Sequence, residues 1–297
     1  VADWLKSKGQ VNAEEFWTFI WYNRAIKPLP IEQQERWHYF PDHEVVYWRS
    51  SWNDDATAFA FKAGSPEGHA TTEKLKQFPD WRLSSGHAHP DAGSFIIWSK
   101  GKYLTGDSGY AGIPLTEHHN TVVFDGHGQA KERQGHDVFA DVSYDRMNEI
   151  RINDLKVNDT GLSLIANLAN AYEPELGVTR FTRRFEFIAP GDFKIEDDIA
   201  AAKERTVTSY LHADTSIVEK GNNILEFEPG KTSLIAQILE PNPAVVKIEK
   251  NMLITPGPPG NVDKGQREER GVRLAISTNK PAQVTKFILH LSIENQR

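Results

Sequence analysis

The 297-residue sequence contains no cysteine. Without thiols the chain has no thiolate nucleophile, no sulfur-ligated zinc and no disulfide, so any metal must be held by imidazole and carboxylate. No run of eighteen apolar residues occurs, which excludes a membrane-spanning helix. A secretory signal pattern is missing as well, and residue 1 is valine. The expectation is a processed or truncated piece of a longer protein. Positive charge is also in short supply: 34 Lys and Arg face 41 Asp and Glu, for a net charge of −7. That balance argues against a general nucleic-acid binder. It leaves room for a polyanionic sugar, because a few local arginines and histidines can hold carboxylates within an acidic surface.

Material for a core is plentiful. Apolar residues make up 39% of the chain and there are eight tryptophans, enough for one large β-rich domain or two smaller ones. The first thirty residues stand apart. "VNAEEFWTFIWYNRAI" offers Asn12 as N-cap with Glu15 three residues on, then apolar residues at 16, 17, 19, 20 and 21. The spacing predicts a helix over 12–26 that is hydrophobic nearly all round and needs neighbours to cover it. "KPLPIEQQ" then ends the helix as a linker.

From about residue 44 the pattern changes to short alternating segments rich in β-branched and aromatic residues, separated by Gly, Pro, Asn and Asp turns. They run from "EVVYWRSSW" and "ATAFAFKAG" through "DVFADVSYD" to "AQVTKFILHLSI". About fifteen strands at this spacing predict a large antiparallel sandwich. "SFIIWSKGKYLTGD" reads as a hairpin around Lys100-Gly101, and "TTEKLKQFPDWRL" is the one plausible helix inside the region. "ITPGPPGNVDKGQREERG" reads as a polar surface loop.

Seven of the eleven histidines fall between His69 and His136. In an extended strand, residues two apart face the same side, so the "HAH" of 87–89 presents His87 and His89 as a pair. Asp107 lies eighteen residues after His89, at the far end of the predicted hairpin, and a hairpin brings its two ends together. His118 and His119 open the next strand. Two imidazoles and a carboxylate with a water suit zinc or another divalent borderline metal. Neighbouring imidazoles repel when protonated, so a dense cluster favours a cation or a carboxylate among them. His127 and His136 read as loop residues. A cupin-type β-barrel also carries a HxH, yet its following glutamate is absent here, with Gly93 and Ser94 in the expected places.

Three runs, "YFPD…VVYWRSSWNDDATAFAFKAG" (39–64), "GHAHPDAGSFIIWSKGKYLTGDSGY" (86–110) and "HNTVVFDG" (119–126), together resemble the heparinase II/III-like family of polysaccharide lyases. "WYN…KP" at 21–28 and "RRFEFIAPGDFKIEDDI" at 183–199 extend the likeness over roughly 17–200. The resemblance implies an N-terminal α/α toroid joined to a C-terminal antiparallel β-sandwich. By that reading, residues 1–30 are the end of the toroid and 31–297 the sandwich, and the partner of this chain is the missing helical domain.

The resemblance further implies a structural divalent metal, most plausibly zinc, held by His89, Asp107 and His119, with His118 or His136 as alternatives for the third ligand. His87 resembles the residue that faces substrate. Tyr110, three residues after Asp107, could reach the same cleft, though packing at a strand end is the better reading of it. Arg183 and Arg184 could bind a sulfate or carboxylate, but their alternation with phenylalanines reads better as a solvated sheet face. The implied substrate is an acidic polysaccharide or oligosaccharide of the alginate or heparin/heparan type, in a bacterial periplasmic, secreted or cytoplasmic setting. A 4-linked uronate is cleaved by removing the C5 proton and expelling the oxygen at C4. Neutralising the adjacent carboxylate stabilises the developing anion, and a tyrosine or histidine serves as base and acid. In the family those groups lie mostly in the toroid. Two other readings are a metal-stabilised glycan-binding module without turnover and a cupin-like metalloenzyme.

Overall fold

The computed structural model describes residues 25, 27, 29–78, 80–81, 88–107, 115–132, 138–139, 141–189, 191–250, 252, 255–256, 267–268 and 271–295. The predicted helix over 12–26 therefore lies outside the described residues, as do His87, Tyr110 and His136. What is described is mainly β, in three antiparallel sheets and one short two-stranded pair. No helix among the described residues is long and apolar enough to cross a membrane.

The first sheet is a meander of five strands: β1 (Trp37–Phe40), β2 (Val45–Arg49), β3 (Thr57–Lys62), β4 (Phe95–Ser99) and β5 (Lys102–Thr105). The β4–β5 hairpin turns where the sequence predicts: Lys100 and Gly101 both adopt positive φ, 49° and 89°. That pair of left-handed residues matches the twist of the strands on either side. Between β3 and β4 the chain leaves for α1 (His69–Gln77), the helix foreseen in "TTEKLKQ".

The second sheet is the largest. Its order is β12-β13-β14-β19-β10-β9-β8-β7, built from β7 (Arg151–Asn158), β8 (Gly161–Asn167), β9 (Val178–Ala189), β10 (Asp192–Arg205), β12 (Ile217–Gly221), β13 (Ile224–Phe227), β14 (Thr232–Glu240) and β19 (Ala282–Asn295). β10 alternates half-buried and buried residues over its first ten positions, the period-two signature of a strand with one face on the core. The third sheet orders β15 (Val245–Lys250), β18 (Val272–Ser277), β11 (Val207–Ala213) and β6 (Val122–Phe124).

Sheets one and two close on a phenylalanine cluster. Phe59 of β3 lies 4.3 Å from Phe185 of β9, and Phe95 of β4 lies 5.4 Å from the same ring. Phe193 of β10 completes the layer at 5.9 Å from Phe185. The third sheet joins through Phe124 of β6, whose ring meets the buried Tyr172 edge-on at 4.8 Å. All of these belong to one continuous core.

The strand reading fails in three places. "DVFADVSYD" is not a strand: Val138, Phe139 and Val142 are buried in the core, but Ser143 caps a short helix, α2 (Tyr144–Met147), by accepting from the Arg146 amide. Burial without a ladder partner gives the same alternation as a strand. The loop after residue 254 partly pairs, β16 (Thr255–Pro256) against β17 (Arg267–Glu268). Arg183 is 1% exposed rather than on a solvated face; only Arg184 faces water.

Candidate functional site

Three segments meet where the first and third sheets approach. The loop over 88–94 leads into β4, Gly106 and Asp107 follow β5, and 115–121 lead into β6. Gly106 bridges to His212 of β11, which ties the end of the β4–β5 hairpin to the third sheet.

The segment before β6 is held from inside. A single 3-10 turn, Thr116–His118, presents His118 and His119 in succession. Buried Glu132 fixes this turn by accepting from the Thr116 amide at 2.5 Å and the Gly128 amide at 2.9 Å. Asn120 is the hub. Its Nδ2 donates to Phe95 O (2.7 Å), Thr105 Oγ1 (3.0 Å) and Gly106 O (2.6 Å), and its Oδ1 accepts from the His212 amide at 2.9 Å. One fully buried amide thus joins β4, β5, β6 and β11 around the histidines.

The His89 loop is secured in the same way. Ala92 exchanges two hydrogen bonds with the Gln129 side chain, and Thr121 Oγ1 donates to Ala92 O. Arg183 Nη1 donates to both Gly93 O (2.6 Å) and Asn120 O (2.7 Å) while its remaining edge grips Asp197. This buried arginine therefore staples the His89 loop to the His119 segment.

Within that frame the expected ligands come together. His119 Nδ1 lies 3.7 Å from Asp107 Oδ2, and the His119 ring centre is 5.2 Å from that of His89. His119 is 2% exposed, and its Nε2 has no hydrogen-bond partner among the described residues. His118 stands beside it, half-buried. His212, which carried no signal of its own within "TVTSYLHAD", packs underneath, its ring nitrogens 3.0 Å from Asn120 Oδ1 and 3.1 Å from Glu117 O. Arg273 of β18 closes the base, paired with Glu249 and donating to Glu117 O at 3.1 Å.

The electrostatics favour neutral rings. Burial pushes the His118 imidazole down to about 4, with His119, Arg273 and His89 adding repulsion and Asp107 opposing. Burial likewise lowers His212 to about 3, helped by His119 and Arg273. His89 is lowered by burial and then by His119, against the pull of Asp91 and Asp107. A neutral imidazole is the form that accepts a cation. Donors on one tetrahedral ion sit about 3.4 Å apart at metal–ligand distances near ~2.1 Å, close to the His119–Asp107 separation. Among the described residues no three such side chains are gathered as a finished metal cage; His89 stands next to the pair rather than on it.

The whole chain superposes on solved structures of heparinases. A heparinase III with methylated lysines matches over 99% of this chain with a TM-score of 0.65 at 18% identity. The heparan sulfate lyase HepC from Pedobacter heparinus, in a mutant form, matches over 100% with a TM-score of 0.66 at 16% identity. The chain spans only 40% and 41% of those two proteins. No curated protein matches it in sequence. Residues 33–292 fit the pattern described as "Heparinase II/III-like, C-terminal", and the chain belongs to that family.

Proposed function

We propose that this chain is the β-sandwich part of a polysaccharide lyase that cleaves 4-linked uronic-acid glycans by β-elimination. The observation that carries the proposal is the meeting of His89, Asp107 and His119 from three separate segments, with His119 Nδ1 3.7 Å from Asp107 Oδ2 and the His89 ring beside it. Family membership supports the reaction class, and the likeness to a heparan sulfate lyase favours a heparin- or heparan-type substrate over alginate.

On this reading His89, Asp107 and His119 hold a divalent ion, zinc by donor type. The bound ion supplies positive charge that fastens the three loops. The chain's own residues do the positioning: Asn120 and Arg183 fix the backbone from which the ligands project. His87 is assigned to glycan contact and Tyr110 to the same cleft, and both lie outside the described residues. The base and the group that neutralises the uronate carboxylate belong to the helical portion outside this chain.

The test uses the longer protein that contains the chain. Incubation with heparin, heparan sulfate and alginate is expected to generate the ultraviolet absorbance of an unsaturated uronate with at least one of them. No absorbance gain with any substrate refutes the lyase reading. Elemental analysis is expected to find one equivalent of zinc, lost in the His119→Ala variant. A metal-free protein whose thermal stability is indifferent to that substitution refutes the metal assignment.

A further inference from the structure

The outer face of the first sheet carries a trough that the histidine cluster does not use. Register places two rows of side chains across this face. One runs His38–Tyr47–Ala60–Ile96, and the next runs Arg49–Ala58–Trp98–Tyr103. The two alanines stand on the central strand β3, so the middle of the sheet is low and its flanks are high. The resulting depression encloses about 590 Å³, within the size range of small-ligand clefts.

Its walls are aromatic and open to water. Tyr47 is 52% and Tyr103 49% exposed, with Trp98 and Trp52 half-buried beside them. A monomeric protein rarely leaves so many large rings on one face without a ligand for them. The rings are Trp and Tyr rather than Leu, Ile or Met, which suits a partner with apolar faces and hydroxyl edges.

Arg49 supplies the charge. Its guanidinium lies 4.2 Å over the Trp52 ring, and Nε donates to Ser51 O at 2.6 Å. Among the described residues it forms no ion pair, whereas neighbouring Arg36 is bound to Asp159 at 2.7 Å. A half-buried, stacked guanidinium whose Nη groups have no partner among the described residues matches a carboxylate or sulfate.

We infer that this trough is a second glycan site, which takes two or three residues of an acidic oligosaccharide by stacking their rings on Trp98, Tyr103 and Tyr47 and pairing one acidic group with Arg49. Trp98 and Tyr103 flank the turn of the β4–β5 hairpin, whereas His89 and Asp107 lie beyond its opposite end. The site thus holds chain away from the histidine cluster. The inference rests on the glycan class of the proposed function, but it concerns binding alone.

Calorimetric titration of the intact chain with a heparin-derived hexasaccharide tests it, with cellohexaose as the uncharged control. Binding is expected for the acidic sugar and to weaken as salt rises. Trp98→Ala, Tyr103→Ala and Arg49→Gln are each expected to weaken it by about tenfold. Tyr103 is half exposed, so its variant keeps the fold, as circular dichroism will show. Absence of binding by the intact chain overturns the inference, even if the longer protein proves to be a lyase. So does binding that survives both Trp98→Ala and Tyr103→Ala, or equal affinity for cellohexaose. If the longer protein has no lyase activity but the hexasaccharide binds and depends on these residues, the trough stands without the lyase.

Discussion

Replacing Arg183 by methionine removes the staple between the His89 loop and the His119 segment while keeping a side chain of similar length. The native arginine makes two 2.7 Å bonds to the Asp197 carboxylate and one each to Gly93 O and Asn120 O. Both side chains of the ion pair are 2% exposed. Removing one partner of a buried pair costs about 3–5 kcal/mol, because the remaining charge is left without compensation. Two carbonyls that each lose a donor add a further ~1–3 kcal/mol apiece where water cannot replace it. These terms share a network and do not sum fully, so a loss of about 4–6 kcal/mol is expected, a large part of the ~5–15 kcal/mol that holds a typical domain.

Urea unfolding followed by circular dichroism measures this directly. At about 2–4 °C per kcal/mol for a large domain, the melting temperature should fall by about 8–24 °C. The double variant Arg183→Met/Asp197→Leu removes the orphaned carboxylate and should recover about half or more of the loss. The two carbonyls stay unsatisfied in the double variant, so recovery should be incomplete. An Arg183→Met protein within about 1 kcal/mol of wild type would refute the reasoning. A double variant no more stable than the single one would do the same.

Substitutions at three other positions probe the same frame. Asn120→Ala removes an amide whose two N–H groups are shared among three oxygens and whose own oxygen accepts from a backbone amide. It should cost about 3 kcal/mol, and Asn120→Asp should fare no better because a carboxylate cannot donate to Gly106 O; thermal melts of both variants decide. Gly93 has φ +85°, and a Cβ there would collide with Leu168. Gly93→Ala should therefore lose about 1–3 kcal/mol and shift the histidine ring signals of His89 and His119 in NMR spectra; unchanged signals would break the link between this turn and the site. Tyr172 is fully buried and donates to Val122 O at 2.7 Å, and burial raises its hydroxyl well above the ordinary tyrosine value. The folded state keeps this proton where the unfolded chain has released it, so the contribution is complete below about pH 10 and is lost as pH climbs beyond it. Tyr172→Phe should flatten the alkaline fall in stability without abolishing it, because Tyr39 is raised in the same direction by burial and by Glu44. An alkaline slope identical to wild type would exclude Tyr172 as its source.

The histidine cluster was legible because its geometry is short-range. A turn at Lys100-Gly101 and a carboxylate eighteen residues after His89 need only the closing of a hairpin. The strand expected at 87–89 is not there, because Ala88 and His89 lie in a loop, and His87 lies outside the described residues. His212 and Asn120 were not legible, since 92 residues separate them and only the pairing of β11 with β6 brings them together. The β-strand reading of "DVFADVSYD" failed for the opposite reason, local alternation with no distant partner to pair with.

Arg183 is the instructive case, because its burial was written in the parity of its strand. In "RFTRRFEF" the inward positions are Phe181, Arg183 and Phe185, whereas Arg184 and Glu186 face out. In "FKIEDDIA" the inward positions are Phe193, Ile195, Asp197 and Ile199. Each strand thus carries one charged residue of the wrong kind for its row, and the two charges have opposite sign. Noting only that arginines are interleaved with phenylalanines treats both arginines alike; counting by twos separates them. A lone charge inside an apolar row is too costly to bury unless something answers it. Two such charges on successive strands, one hairpin apart, answer each other: antiparallel pairing sets Asp197 opposite Arg183. The pair then has donors to spare, and those donors are what reach the loops carrying His89 and His119.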